Sequence, residues 1–378
     1  MMLRTAATMT LLVIALADFG STASASQWWP RHSVSGQSAG GSMAVNHLFA
    51  FSASVEGAGI AAGSPYGCGV QTDQEDRCYY GHVNIPASVG HAYRRQAQGH
   101  IDSLANLKQT PVLLFNGKKD NEVYKRTMVD TFHQLQYFVD AKFLHTAFET
   151  DAAHVWSVDH GNCDCGACSD FMDKPICCDV NNCVYDLSGD MLRKIYGPLR
   201  ERVQVHPVLR RINQWKYVPR RDSDVNTTTG STQTDTAQAR NRHGMWHWAL
   251  AYVPRGCVGK VHECRVHVNY HGCIRKTLQR RRLWASSIDL NEYGEANNIV
   301  MLYPQAAGSD EVGIGCWNWG DDSVDPQFDT KLSYQLRTVM NMLSDLENAL
   351  AEADLLYPEE PARHVAEPDA SHVPTIMA

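Results

Sequence analysis

The 378-residue chain has no excess of basic groups, no apolar run long enough to cross a bilayer and no internal repeat. Thirty-four Lys and Arg stand against 41 Asp and Glu, a formal charge of −7, which argues against a protein that tracks nucleic-acid phosphates. A membrane span needs roughly 20 consecutive apolar residues. The nearest approach, 6–17, is shorter, so the sequence predicts no membrane partner. With 27 Gly and no period, collagen-like and coiled-coil polymers are excluded. What remains is a globular composition, 44% hydrophobic and 20% charged, with twelve cysteines whose meaning depends on the redox compartment.

The first residues bear on the compartment. A basic start at Arg4, the apolar run 6–17 and the small residues Ala23-Ser24-Ala25 predict a secretory signal peptide over 1–25. The expected product is a secreted, extracellular protein in which thiols pair. Short apolar and β-branched runs at 32–35, 58–62, 111–116 and 142–148 alternate with helical stretches, which reads as βαβ units on a parallel sheet. A polar tract over 220–242 follows, with Asn226-Thr227-Thr228 as a glycosylation acceptor sequence. Three more strands are expected at 246–254, 265–270 and 299–303, then a helix over 333–352 and a flexible tail over 353–378. The catalytic domain is thus expected over 26–352.

Gly36-Gln37-Ser38-Ala39-Gly40-Gly41 fits GxSxG between a strand-like run and an apolar, helix-like stretch. That is the setting of a nucleophile elbow, where a serine sits on a strained strand-to-helix turn at a helix N-terminus. An acid and a histidine should follow in chain order. Asp120 ends the loop after the 111–116 strand, and His154 ends the loop after the 142–148 strand, with His145 and His160 as competing bases. The strand giving the second oxyanion N–H normally precedes the nucleophile. Here its best match, Val266-His267-Val268-Asn269-Tyr270-His271-Gly272-Cys273, lies far downstream. The reading is therefore a circularly permuted α/β-hydrolase fold, α/β class, a single domain with a mostly parallel central sheet. The tract at 220–242 is taken as the permutation join.

These motifs, with Ala62-Gly63-Ser64-Pro65-Tyr66-Gly67-Cys68, 297–306 and Gly315-Cys316-Trp317-Asn318-Trp319, resemble in order a secreted polyhydroxybutyrate depolymerase of the circularly permuted, single-domain fungal type. The resemblance implies a serine esterase acting on poly(3-hydroxybutyrate) and its oligomers, without metal or organic cofactor. It implies Ser38 as nucleophile, Asp120 as acid and His154 as base, with the Ala39 and Cys273 amides as oxyanion hole. Trp317 is implied as an aromatic lining the substrate crevice, and Trp319 is a candidate for gripping methyl-bearing repeat units. By resemblance and proximity the disulfides are Cys68–Cys78, Cys163–Cys183, Cys257–Cys264 and Cys273–Cys316, leaving Cys165, Cys168, Cys177 and Cys178 as an atypical insertion with two further bridges. A zinc site there is the cytosolic alternative. Gln37, Ser42, Arg275 and 320–322 depart from the family pattern near the elbow and crevice. The basic concentration Arg275-Lys276 with Arg280-Arg281-Arg282 reads as a solvated helix face, with binding to an acidic surface or polysaccharide as the alternative. A polyester or ester oligomer is the expected partner of a monomer; a carbohydrate esterase and a non-catalytic hydrolase-like binding protein are the alternatives.

Overall fold

The computed structural model describes residues 29–70, 77–166, 179–219, 244–275, 277–307, 314–320 and 325–357. The expected signal peptide, Asn226 and the tract 220–242 lie outside the described residues, as do Cys168, Cys177 and Cys178.

Thirteen strands and the helices between them are described. β1 (His32–Gln37) leads into α1 (Ala39–Ala50) and β2 (Val55–Ala61). α2 (Arg77–Tyr80) and α3 (Ile85–Ala97) precede β3 (Val112–Phe115), and α4 (Lys125–Leu135) precedes β4 (Leu144–Ala147). β5 (Trp156–Val158), β6 (Val180–Asn182) and α5 (Leu187–Tyr196) complete the first half. The second half holds β7 (Leu209–Asn213), β8 (Trp248–Tyr252), β9 (Arg265–Tyr270), β10 (Ile274–Arg275), β11 (Ile299–Tyr303), β12 (Ile314–Gly315) and β13 (Asp354–Leu356).

Nine strands form one sheet in the order β13-β7-β8-β11-β9-β1-β2-β3-β4. From β11 to β4 every neighbouring pair is parallel, and β8, β7 and β13 extend the sheet antiparallel. The inner strands β11, β9, β1, β2 and β3 are buried along nearly their whole length, and β2, β3 and β11 read as largely apolar runs, whereas the edge strand β4 is partly exposed. Val112 and Leu114 join one core with α1, α3 and the Tyr334–Ser344 helix, while Leu113 and Phe115 join the other with α5 and the Leu278–Ser287 helix.

β1, first in the chain, pairs with β9 from the second half. This is the permuted order expected from the motifs. The join is elsewhere, however. β7 and β8 are antiparallel neighbours, so the tract 220–242 between them belongs to the second half. The halves are connected by the extended chain between Tyr196 and Leu209. Two further expectations change. Asp354–Leu356 pairs with β7, so the sheet reaches past residue 352 into the expected tail. The expected helix over 333–352 is two helices, Tyr334–Ser344 and Leu346–Ala351, broken at Asp345. There the Asp345 carboxylate accepts hydrogen bonds from Tyr217 Oη at 3.0 Å and Asn348 Nδ2 at 2.6 Å, competing with a continuous helix.

Candidate active site

The loops that follow β9, β1, β3 and β4 all leave the same edge of the sheet, because these strands are parallel neighbours in one layer or one strand removed. That edge, at the carboxyl ends, is where α/β sheets build their sites. Ser38, Asp120, His154 and the 271–273 loop all follow from it.

Ser38 stands between the last residue of β1 and the first of α1 with φ 59° and ψ −127°, a left-handed backbone that strains any residue with a Cβ. Two hydrogen bonds hold it there: its N–H donates to the Ala61 carbonyl at 2.9 Å, and its carbonyl accepts from the Ser42 N–H at 3.0 Å. The elbow can form only with minimal side chains beside it. A Cβ on Gly40 would lie 2.1 Å from the Tyr270 carbonyl oxygen and 2.4 Å from that of His271. A Cβ on Gly272 would lie 3.3 Å from the Cβ of Ser38. The start of α1 and the 271–273 loop therefore touch backbone to backbone, as the permuted reading requires. Ser42 and Gln37, flagged as departures, are both buried; Ser42 Oγ accepts from the Ser64 N–H at 2.9 Å and serves packing.

Of the three candidate histidines, His154 faces the acid: its Nδ1 lies 2.8 Å from Asp120 Oδ2. His145 lies in β4, where burial first and then the Lys194 charge lower its pKa, and His160 bonds both carboxylate oxygens of Asp289 at 2.9 Å. The Asp120 carboxylate is fully committed. Oδ1 accepts the N–H groups of Glu122 and Val123 at 3.0 and 2.9 Å, and Oδ2 accepts Asn116 Nδ2 at 3.2 Å besides the imidazole. Nδ1 of His154 must then carry the proton, which leaves the Nε2 lone pair for base chemistry. The two loops are tied together by Lys118 N–H to Thr150 carbonyl and Lys119 N–H to Ala152 carbonyl, each 2.9 Å.

Trp317 is placed differently from the crevice-lining role implied by resemblance. It is only 3% exposed, its ring meets Tyr270 edge to face at 5.0 Å, and its indole N–H donates to the His271 carbonyl at 3.0 Å. It sits behind the 271–273 loop as a buttress. Removing that N–H leaves a buried carbonyl unpaired, at about 1–3 kcal/mol. If the expected esterase chemistry holds, Trp317→Phe lowers kcat on a soluble ester about tenfold with little change in KM, measured by steady-state kinetics. Trp319 is half-buried and packs edge to face on Tyr79 at 5.7 Å, beside exposed Tyr80 and Tyr124.

The structure shows support that sequence reading missed. A buried chain runs from the Pro30 carbonyl through His32 and His47 to the Tyr270 hydroxyl, with contacts of 2.8, 2.9 and 2.6 Å. On the other face His267 bonds Ser33 and Ser35 at 2.6 and 2.7 Å. His271 donates to the Gly272 carbonyl at 2.5 Å and accepts the Ala306 N–H at 3.2 Å. Burial holds His32 down to about 4 and His267 and His271 to about 3, so all are neutral. Arg281, expected on a solvated face, is fully buried instead, donating to Gln305 Oε1 and the Ala306 carbonyl, both at 2.8 Å. Burial lowers it to about 9. The Arg275 side chain lies outside the described residues.

Cys68–Cys78, Cys257–Cys264 and Cys273–Cys316 form as expected, the last tethering the 271–273 loop to the tryptophan loop. Cys183 pairs with Cys165 and not with Cys163, which is itself disulfide-bonded. The pairing follows β6 alongside β5: Cys183 directly follows the strand that the Asp164 bridge at Asn182 extends, bringing Cys165 within reach. Among the described residues no cysteine is free. Asp159, His160 and Asp289 cluster closely, and the Arg202 guanidinium is among them, 2.6 Å from Asp159 and 3.9 Å from Asp289. That cation supplies the charge a metal ion would otherwise bring.

The fold is that of a circularly permuted α/β-hydrolase. Within that class the chain is similar to polyhydroxybutyrate depolymerases. No protein-family profile matches it. It is 32% identical over 300 residues to a poly(3-hydroxybutyrate) depolymerase of Delftia acidovorans, covering 77% of this chain but only 55% of that protein. It is 27% identical over 300 residues to a polyhydroxybutyrate depolymerase of Talaromyces funiculosus, covering 76% of this chain and 81% of the relative. Among solved structures it is similar to a PHB depolymerase serine-to-alanine variant complexed with an R3HB trimer, at TM-score 0.68 and 24% identity over 84% of this chain and 96% of that one. The PHB depolymerase of Penicillium funiculosum matches at TM-score 0.65 and 25% identity, over 83% and 94%. The resemblance read from the motifs thus extends over most of the chain.

Proposed function

We propose that the protein is an extracellular serine esterase that hydrolyses poly(3-hydroxybutyrate) and its oligomers through an acyl-enzyme. The observation that carries the reading is the Asp120–His154 hydrogen bond at 2.8 Å, at the sheet edge where Ser38 sits on its strained elbow against the 271–273 loop. The relatives named as polyhydroxybutyrate depolymerases support the substrate.

A serine hydroxyl is a weak nucleophile at neutral pH, so His154 Nε2 takes its proton as Oγ attacks the ester carbonyl. Asp120 fixes the tautomer and stabilises the imidazolium. The N–H groups of Ala39 and Cys273 hold the tetrahedral oxyanion; losing one such donor costs about 3 kcal/mol in barrier. The imidazolium then protonates the leaving alkoxide, and water repeats the sequence on the acyl-enzyme. Ala39 opens α1, so the helix N-terminus adds a favourable field at that oxyanion. Trp319 with Tyr79 offers an apolar grip for methyl-bearing repeat units. The paired cysteines fit secretion through a signal peptide over 1–25.

The test is a substrate panel with active-site labelling. Release of 3-hydroxybutyrate and its oligomers from polymer film, with fluorophosphonate attached at Ser38, is the expected result. Release of acetate from acetylated xylan without action on the film would assign a carbohydrate esterase, and no labelling would overturn the enzyme reading.

A further inference from the structure

The Glu122 side chain lies outside every role assigned above, yet its carboxylate Oε2 is 3.8 Å from His154 Nε2, the nitrogen opposite the one that faces Asp120. The same turn that positions Asp120 places it there, since the Glu122 N–H donates to Asp120 Oδ1 at 3.0 Å. Its side chain is 40% exposed against 10% for His154, so the carboxylate reaches solvent beside a largely buried imidazole. The neighbouring cations are engaged elsewhere. Lys118 and Lys119 approach Asp151 at 2.9 and 3.7 Å, and Lys125 pairs with Glu149 at 3.0 Å. Among the described residues no lysine or arginine forms an ion pair with Glu122.

Resting on the esterase reading, we propose that Glu122 is a specificity-determining residue that disfavours cleavage releasing a terminal unit with a free carboxylate, and so directs hydrolysis to internal ester bonds. The chemistry follows from where the leaving group must be. His154 Nε2 hands its proton to the departing alkoxide, so that oxygen is within hydrogen-bond reach of Nε2 and close to Glu122. In a 3-hydroxy acid the hydroxyl and the carboxyl group lie within a few ångströms of each other. Inside a chain that carboxyl is esterified and neutral. At the chain end it is an anion, and it meets a second anion at the mouth of the site.

The experiment compares two linear 3-hydroxybutyrate dimers, one with a free carboxylate and one capped as the N-methyl amide, which offers no second labile ester. Wild type is expected to prefer the capped dimer in kcat/KM by about five- to tenfold at low ionic strength, from like charges at close range in a solvated cleft. The preference should shrink as salt screens it. Glu122→Gln should remove most of it, and Glu122→Lys should reverse it. Equal ratios in wild type and Glu122→Gln, or a ratio indifferent to salt, overturn the inference. p-Nitrophenyl butyrate, which bears no carboxylate, separates the two failures. If it is cleaved in a Ser38-dependent way while the dimer ratios stay equal, the esterase reading stands and only the role of Glu122 falls. If no ester is cleaved, both fall.

Discussion

Ester hydrolysis by Ser38→Ala is expected to fall at least about a thousandfold, and by Asp120→Asn on the order of ten-thousandfold, with both variants folded. On the proposed mechanism the alanine result follows from losing the nucleophile alone. The asparagine result follows from the hydrogen bonds that surround residue 120. Its Oδ1 position accepts two backbone N–H groups, from Glu122 and Val123, so a side-chain amide must place its oxygen there. The amide nitrogen then takes the Oδ2 position, 2.8 Å from His154 Nδ1, and donates to it. The imidazole proton moves to Nε2, and the lone pair that should accept the serine proton is gone. A burst assay with p-nitrophenyl butyrate measures both losses. A variant at residue 120 that kept a tenth of the rate would show that Asp120 does not set the tautomer.

The elbow, the Asp120 loop and the His154 loop were legible because each combines a short-range pattern with a place in chain order: Ser38 among glycines after β1, Asp120 after β3 and His154 after β4. The permutation was legible for the same reason, since a His-Gly motif after an apolar strand is recognisable wherever it falls. The residues that support the site were not, because their meaning depends on contacts between distant segments. His32-Ser33-Val34-Ser35 gives no sign in sequence that His32 meets His47 on one face while Ser33 and Ser35 meet His267 on the other. Arg281 lies between two other arginines, and only the helix's placement shows that one of the three is buried under Trp246 and bonded to Gln305. Trp317 belongs to a recognised motif, yet whether a tryptophan lines a crevice or backs a loop is decided by which side of the chain the ring takes. The Cys165–Cys183 pairing likewise depends on β6 lying parallel to β5, which spacing does not encode.

The buried histidines lead to a second large effect, loss of stability in mild acid. His32, His47, His267 and His271 are fully buried, and burial lowers each of them: His32 to about 4, His267 and His271 to about 3, His47 well below its ordinary value. In the unfolded chain each would titrate near 6.5. Below that value the unfolded state binds protons that the folded state refuses, so folding stability falls with pH by up to about 1.4 kcal/mol per unit for each group. The loss for His32 runs from about 6.5 down to about 4, and for His267 and His271 on to about 3. Two carboxyls act the other way. Burial raises Glu292 to about 7 and raises Asp289, so each takes up a proton more readily folded than unfolded and favours folding as pH drops. Four imidazoles outweigh two carboxyls, so the net slope keeps the sign set by the histidines. Total stabilities of about 5–15 kcal/mol leave room for only a few such units. Urea unfolding is expected to show steeply falling stability between pH 6.5 and 4.5, at constant m value. His267→Gln should flatten that slope by about one proton while costing stability at pH 7, because a glutamine amide cannot reproduce both serine contacts in the imidazole's geometry. Stability that stayed level from pH 7 to 5 would mean that these histidines find water or a partner when protonated. The chain from Pro30 to Tyr270 would then be no constraint on the loop that lies against Ser38.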